Sequence, residues 1–261
     1  MRRVVLSGAL ALVAAGCGGG GGSGSASADD IAHAATKTSQ SGSLEADFNV
    51  AGQGLTGKGS GVFNSKQHSG QLKMTLLAGG RRVPVESVVD GNTVYLRSPA
   101  FAQATTQDKQ WVKLNLATLS ALSGGQSGND LSGILDASPT PTNALAYLQG
   151  SSTVDKVGAE SVGGVETTHY SVSANLDRAA EHASGSTRDA IREVIAQSGE
   201  RTQPLDVWLD GNGYIRKVKY DEHAGRRQAA EVTMELHDFG APVAINAPPD
   251  DSVVDLTRMI G

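Results

Sequence analysis

Residues 52–59 hold the densest chemistry-bearing motif in the chain. Gly52-Gln53-Gly54-Leu55-Thr56-Gly57 spells G-x-G-x-x-G, and Gly52 to Lys58 nearly spells the phosphate loop G-x-x-x-x-G-K. Such loops work because backbone N–H groups and a following helix N-terminus cradle the phosphate. Here Gly59 stands where the Ser or Thr after the lysine should be, and residues 58–64 continue as a glycine-rich, strand-like run. The segment reads as a glycine-loosened hairpin and not as a nucleotide site. The histidines, at 33, 68, 169, 182, 223 and 237, form no H-E-x-x-H and no pair four apart. They read as scattered surface residues, so no metal ligand set is assigned. No G-x-S-x-G or S-x-x-K occurs, and the acidic residues show no glycosidase-like pair. The chain therefore reads as a non-enzyme without a cofactor.

One reactive group remains: Cys17, the single cysteine, which no internal disulfide can occupy. Met1-Arg2-Arg3 is a short positive segment, Val4 to Ala15 is an apolar run, and Ala14-Ala15-Gly16 are small residues of the kind signal peptidases accept. The run is about 12 residues, short of the ~20 that span a bilayer. The pattern resembles a bacterial lipobox, with Ala14 in place of the usual Leu. Its implied chemistry is cleavage between Gly16 and Cys17 and acylation of the thiol. The alternative is an ordinary secretory signal followed by an accidental Cys. Gly18 to Ser27 is glycine and serine apart from Ala26. Such a coil spans about 16–19 Å over ten residues, so it reads as a tether. The expected layout is a signal over 1–16, a lipidated Cys and linker over 17–28, and one folded body over 29–261.

What must the body look like? Hydrophobic residues make up 39%, enough for a core. Loss of Arg2 and Arg3 leaves 20 basic against 27 acidic residues, moving the net charge from −5 to −7. That charge repels phosphate backbones, so nucleic acid is set aside. Asp29-Asp30 followed by Ile31, Ala34, Ala35 and Thr38 predicts a short helix. Period-two alternation follows: Leu44, Ala46, Phe48, Val50; then Leu72, Met74, Leu76; Val83, Val85, Val89; Val94, Leu96; Val112, Leu114, Leu116; Leu205, Val207, Leu209; and Val232, Met234, Leu236. Each set predicts a strand with one buried face. Turn residues at Asp90-Gly91-Asn92 and Asp210 to Gly213 predict hairpins, hence an antiparallel meander. Helical spacing marks Pro141 to Gln149 and Asp177 to Ser198, the latter weakened or broken at Gly185. Ser123 to Asp136, rich in Gly and Ser, reads as a mobile loop or lid. The fold class is α+β: a large antiparallel sheet, strongly curled at eight or more strands, with a few helices packed on it.

Several short segments together resemble a known family. They are Val94-Tyr95-Leu96, Trp111 to Leu116, Gly163 to Tyr170, and Val207 to Val218, following the lipobox, linker and helix. In order and spacing they resemble the LppX/LprG-type envelope lipoproteins of actinobacteria, which share the fold of the LolA and LolB carriers. The resemblance covers roughly residues 29–258. It implies an unclosed half-barrel with helices on the concave side and an apolar cavity for lipids or acylated glycolipids. It carries no catalytic motif.

On that reading the chain sits on the extracytoplasmic face of the cell membrane, lipid-anchored, with lipids as ligands and an envelope transporter as a partner. Candidate pocket residues on the inward strand faces are Leu44, Phe48, Leu72, Met74, Leu76, Val94, Leu96, Val112, Leu114, Val232, Met234 and Leu236. Met74 and Met234 suit ligands of varied shape because thioether chains adapt. Two rivals stay open. One is an anchored interaction protein with a filled core; the other is a hydrolase assembled from dispersed residues. The anchor has a direct test: Cys17→Ala is expected to release the protein from membranes. Retention through a salt wash would refute the assignment.

Overall fold

The computed structural model describes residues 25–52, 54–101, 105–106, 108–115, 140–224 and 227–256. Gly16, Cys17, most of the tether, Leu116 and the Ser123–Asp136 loop lie outside the described residues.

The first helix, α1 (Ala28–Ser39), starts with a capping box. The Ser27 hydroxyl accepts from the Asp30 N–H, and the Asp30 carboxylate accepts from the Ser27 N–H at 2.8 Å. The Ser27 N–H, and after it the Ser27 hydroxyl donating to the same carboxylate at 2.8 Å, hold the Asp30 carboxyl below its ordinary range. Ile31, Ala34, Ala35 and Thr38 face inward, as their spacing predicted. A six-strand meander follows: β1 (Ser43–Gly52), β2 (Leu55–Asn64), β3 (Ser69–Ala78), β4 (Arg81–Asp90), β5 (Thr93–Arg97) and β6 (Trp111–Asn115). Then α2 (Pro141–Gln149) leads to β7 (Ser151–Val162) and β8 (Val165–Asn175). Two helices, α3 (Leu176–His182) and α4 (Gly185–Ser198), precede β9 (Thr202–Asp210), β10 (Ile215–Ala224) and β11 (Arg227–His237). A last short strand, β12 (Val253–Asp255), pairs parallel with β6.

The twelve strands form one sheet in the order β12-β6-β5-β4-β3-β2-β1-β11-β10-β9-β8-β7. Two meanders thus meet where β1 pairs with β11, from Glu45↔His237 to Gly52↔Ala230. The far edges, β12 and β7, do not pair with each other, so the curved sheet stays unclosed. This is the α+β half-barrel that the sequence implied. The described helices pack chiefly on one another and on β7, β8 and β10.

Four details refine or differ from the sequence reading. The helix expected over Asp177–Ser198, weakened or broken at Gly185, is two, separated at Ala183 and Ser184 directly before that glycine. Gly185 adopts φ +55, which L side chains avoid, and the Arg188 guanidinium holds the break by donating to the Ala180 and Ala183 carbonyls. On β4, Val88 is buried on the face opposite Val85. Trp208 and Asp210, expected to face water, are each 4% exposed. The strand β7 carries little alternation because it is an edge strand with bulges at Ser151/Thr153 and Lys156/Gly158.

Polar contacts lock α1 to the β9–β10 turn. Asp210 accepts the Asn212 and Tyr214 N–H groups at 2.9 Å each and the Arg216 Nε at 2.7 Å. Lys37 donates to the Asn212 carbonyl and lies 4.5 Å over the Tyr214 ring, which stacks on Phe239. Deeper in, the Thr38 hydroxyl donates to the Ala34 carbonyl at 2.8 Å and accepts the Ile215 N–H at 3.0 Å. Thr38 and Ile215 are fully buried. A missing acceptor there would leave an orphaned N–H. Thr38→Val, which keeps the shape, is expected to cost about 1–3 kcal/mol in a denaturant melt. Thr38→Ser should retain most of the stability.

Candidate functional site

The site is a face, built by register. On β1 the inward residues are Leu44, Ala46, Phe48 and Val50; pairing carries their rows across the sheet. One row runs Leu236–Ala46–Gly61–Leu72–Ser87–Leu96–Val112. The next runs Tyr170–Val207–Val218–Met234–Phe48–Gly59–Met74–Val85. A third runs Val172–Leu205–Tyr220–Val232–Val50–Gly57–Leu76–Val83.

Each of these three rows is apolar or nearly so, and each loses its side chain at β2; the neighbouring row, Leu44–Phe63–Gly70, keeps one there. Gly57, Gly59 and Gly61 therefore form a floor without side chains between two walls. One wall is Ala46, Phe48 and Val50; the other is Leu72, Met74 and Leu76. Neighbours lean over the floor. A Cβ on Gly57 would lie 2.6 Å from Leu76 Cδ2, and one on Gly61 would lie 2.8 Å from the Phe63 ring. A Cβ on Gly59 would lie 2.5 Å from Met74 Cγ and would collide with the Lys73 carbonyl oxygen.

All twelve candidate pocket residues are buried on this inner face. They are not one group. Leu44, Phe48, Leu72, Met74, Leu76, Val232, Met234 and Leu236 belong to the main cluster, which also takes in the inward sides of the helices. Val94, Leu96, Val112 and Leu114 gather with Phe101, Val89 and Leu256 in a smaller one toward the β12 edge. In the first row, half-buried Ser87 stands between the two.

The inner face has a polar end. Tyr220 on β10 meets Tyr147 on α2 edge to face, with ring centroids 6.1 Å apart. Burial, reinforced by the charge of Glu222, pushes both phenols well above their ordinary pKa. Both stay neutral hydroxyls in physiological conditions, and Tyr220 is bonded to the Glu222 carboxylate. These groups can orient a polar head or brace the helix; they do not form an activated nucleophile.

The Gly52–Gly59 segment is the β1–β2 hairpin. Gly54 takes φ +79, and Lys58 lies exposed on the outer face of β2, opposite Asn49 and Thr75. A strand follows where a phosphate loop needs a helix. The sequence reading missed what Gly57, Gly59 and Gly61 do. Their i, i+2 spacing was the available signal, but its meaning depends on the β1–β2 register. A separate cleft of about 470 Å³ opens on the outer face beside Pro84, Glu86, Arg97, Ser98, Pro99, Thr105 and Gln110, and contains no candidate pocket residue. There Arg97 pairs with Glu86 and lies 5.1 Å from the centre of the Trp111 ring.

An unclosed, curved antiparallel sheet with helices against one face defines the class: a LolA-like half-barrel. The lipoprotein LppX of Mycobacterium tuberculosis shares the fold, with a TM-score of 0.50 at 14% identity over 84% of this chain and 97% of that one. LprF from Mycobacterium bovis aligns with a TM-score of 0.48 at 16% identity, over 86% and 99% respectively. In sequence, the chain is 32% identical over 162 residues to an uncharacterized 31.2 kDa protein from the rplA–rplJ intergenic region of Streptomyces griseus. That alignment covers 60% of this chain and 52% of the relative, so the chain spans about half the length of the curated protein it matches. No protein-family model matches the chain.

The glycine floor makes a graded test. Overpacking costs about 1–3 kcal/mol. Gly59→Ala is expected near the top of that range, because backbone stands in the way. Gly57→Ala should fall near the bottom, because only the tip of Leu76 must move. Equal losses in thermal melts would refute this reading of β2.

Proposed function

We propose that the protein is an exported lipoprotein, anchored through Cys17, that binds acylated lipids or glycolipids on the inner face of its sheet and passes them on. Residues 1–16 act as the signal, 17–28 as the tether, and 29–261 as one lipid-binding body on the extracytoplasmic side of the membrane. An envelope transporter is the expected partner. Among the described residues, no helix is long and apolar enough to cross a membrane, so attachment falls to the N-terminus in this reading.

One observation carries the proposal. A broad apolar face crosses a strand with glycine at three consecutive inward positions, Gly57, Gly59 and Gly61, and the flexible Met74 and Leu76 side chains lie over the first two. Moving those side chains aside would open an apolar trough along β2. Burying methylenes from water yields about 0.8 kcal/mol each, so no catalytic group is required. The likeness to LppX supports the fold; the choice of ligand rests on the inner face.

A second reading has its own support. Met74, Leu76 and Phe63 already fill the space over the floor, as they would in an anchored interaction protein with a solid core. Native mass spectrometry of the full chain carrying Cys17→Ala separates the two. Co-purified mass that organic solvent extracts as lipid, together with uptake of a fluorescent fatty acid, is the expected result. Protein that stays ligand-free and takes up no acyl probe would leave the filled-core reading standing.

A further inference from the structure

A second cluster lies on the opposite face, at one end of the seam between the meanders. Glu45 on β1 pairs in register with His237 on β11, and both side chains point outward. The next residue, Asp238, takes φ +50 as the chain leaves the strand. One donor atom each from Glu45, His237 and Asp238 lies within 4.8 Å of the others. The His237 Nδ1 is 2.7 Å from Asp238 Oδ2, and its Nε2 is 3.4 Å from Asp47 Oδ2.

Elsewhere on the outer face Lys217 reaches Glu235, Lys219 meets Glu231 at 2.7 Å, and Arg97 pairs with Glu86, while His169 stands between Glu160 and Asp206. Glu45, Asp47 and Asp238 face a single imidazole, and no Lys or Arg among the described residues pairs with any of the three. Across β2, Glu45 stands opposite Val62 and Asp47 opposite Ser60, neither of which is cationic. On β11, Asp47 stands opposite another acid, Glu235. A neutral imidazole has one N–H. With that N–H on Asp238, the Nε2 lone pair faces the Asp47 carboxylate; with it on Asp47, the Nδ1 lone pair faces Asp238. Lone pairs aimed at one another repel unless a proton or a metal ion sits between them.

We propose that Glu45, His237 and Asp238 form a surface site for a divalent ion of the zinc class, with Asp47 as the outer acceptor that fixes the histidine tautomer. Imidazole Nδ1 with two carboxylates suits zinc, cobalt or manganese, whereas calcium and magnesium favour all-oxygen sets. A carboxylate on the far nitrogen is the usual brace of a metal-bound histidine. Three protein ligands on an exposed rim leave at least one position to water. The ion would join the last residues of β11 to the first of β1, which makes it a clamp on the seam. The site is independent of lipid binding on the other face.

The test is isothermal titration of the untagged, chelator-treated full chain carrying Cys17→Ala with zinc chloride. Binding is expected at one ion per chain and should survive an excess of magnesium. His237→Gln and Asp238→Asn should abolish it, and Asp47→Asn should weaken it roughly 10-fold, with circular dichroism unchanged. Asp206→Asn, beside His169 on the same face, should leave it intact. Absence of stoichiometric zinc uptake would overturn the proposal, as would uptake that persists in His237→Gln. Loss in Asp206→Asn equal to that in Asp238→Asn would also overturn it, because nonspecific surface charge would then be the cause.

Discussion

The pairing of β1 with β11 is the constraint on which the rest of this molecule rests. Each meander is locally connected and could zip by hairpins, but neither buries its inner face alone. Eight residue pairs, from Glu45↔His237 to Gly52↔Ala230, join segments nearly the whole body apart in sequence. Their register decides which side chains share a row. A slip of one residue would turn Phe48 and Val50 to water and bring Asp47 and Asn49 onto the helices. Closing so long a loop before any reward arrives also makes this seam a slow step in folding.

Given that register, the two faces separate cleanly. The inner rows are apolar and meet the helices over the β7–β10 half. On the outer face one row runs His169–Trp208–Lys217–Glu235–Asp47–Ser60–Lys73–Glu86–Arg97. Its members are polar or charged apart from Trp208, and this large aromatic is not left bare. Trp208 stacks on His169 with centroids 4.1 Å apart, donates its indole N–H to Glu160 at 2.6 Å, and carries Lys217 4.6 Å above its ring. Cross-strand pairs of this sort contribute a few tenths to about 1 kcal/mol each. Their larger effect is to cover this ring on an otherwise polar face.

Much of this was legible in the sequence, for a physical reason. A sheet with one buried face writes itself as period-two alternation, and all twelve candidate pocket residues are buried on that face. What the sequence hid depends on partners from distant strands. Trp208 alternates with Val207 and Leu209 and so read as exposed; its cover comes from β7, β8 and β10. The bulges of β7 reset the parity twice, which erased its pattern. Gly185 was visible as a helix breaker, but the clean stop at Ala183 depends on Arg188 reaching back to two carbonyls. Gly57, Gly59 and Gly61 were read only as loosening a hairpin. Placing them under Met74 and Leu76 requires the registers on both sides of β2. Glu45 and His237 came together only through the seam.

The glycine floor also bears on how an acyl chain could enter a face that is already packed. Met74, Leu76 and Phe63 would have to leave the floor, yet they need not leave the apolar face. Their displacement then costs rotamer strain of about 0.5–1.5 kcal/mol per side chain instead of exposure to water. A fatty chain leaving water gains about 0.8 kcal/mol per methylene, so a long chain outweighs that strain severalfold. For a chain leaving a bilayer, which is as apolar as the protein, most of the gain vanishes. Binding and release are then nearly balanced, which is what a carrier needs. On these terms the tether would do more than anchor the body. By holding it within reach of the membrane, it would replace a costly passage through water with a short exchange between two apolar environments of similar depth.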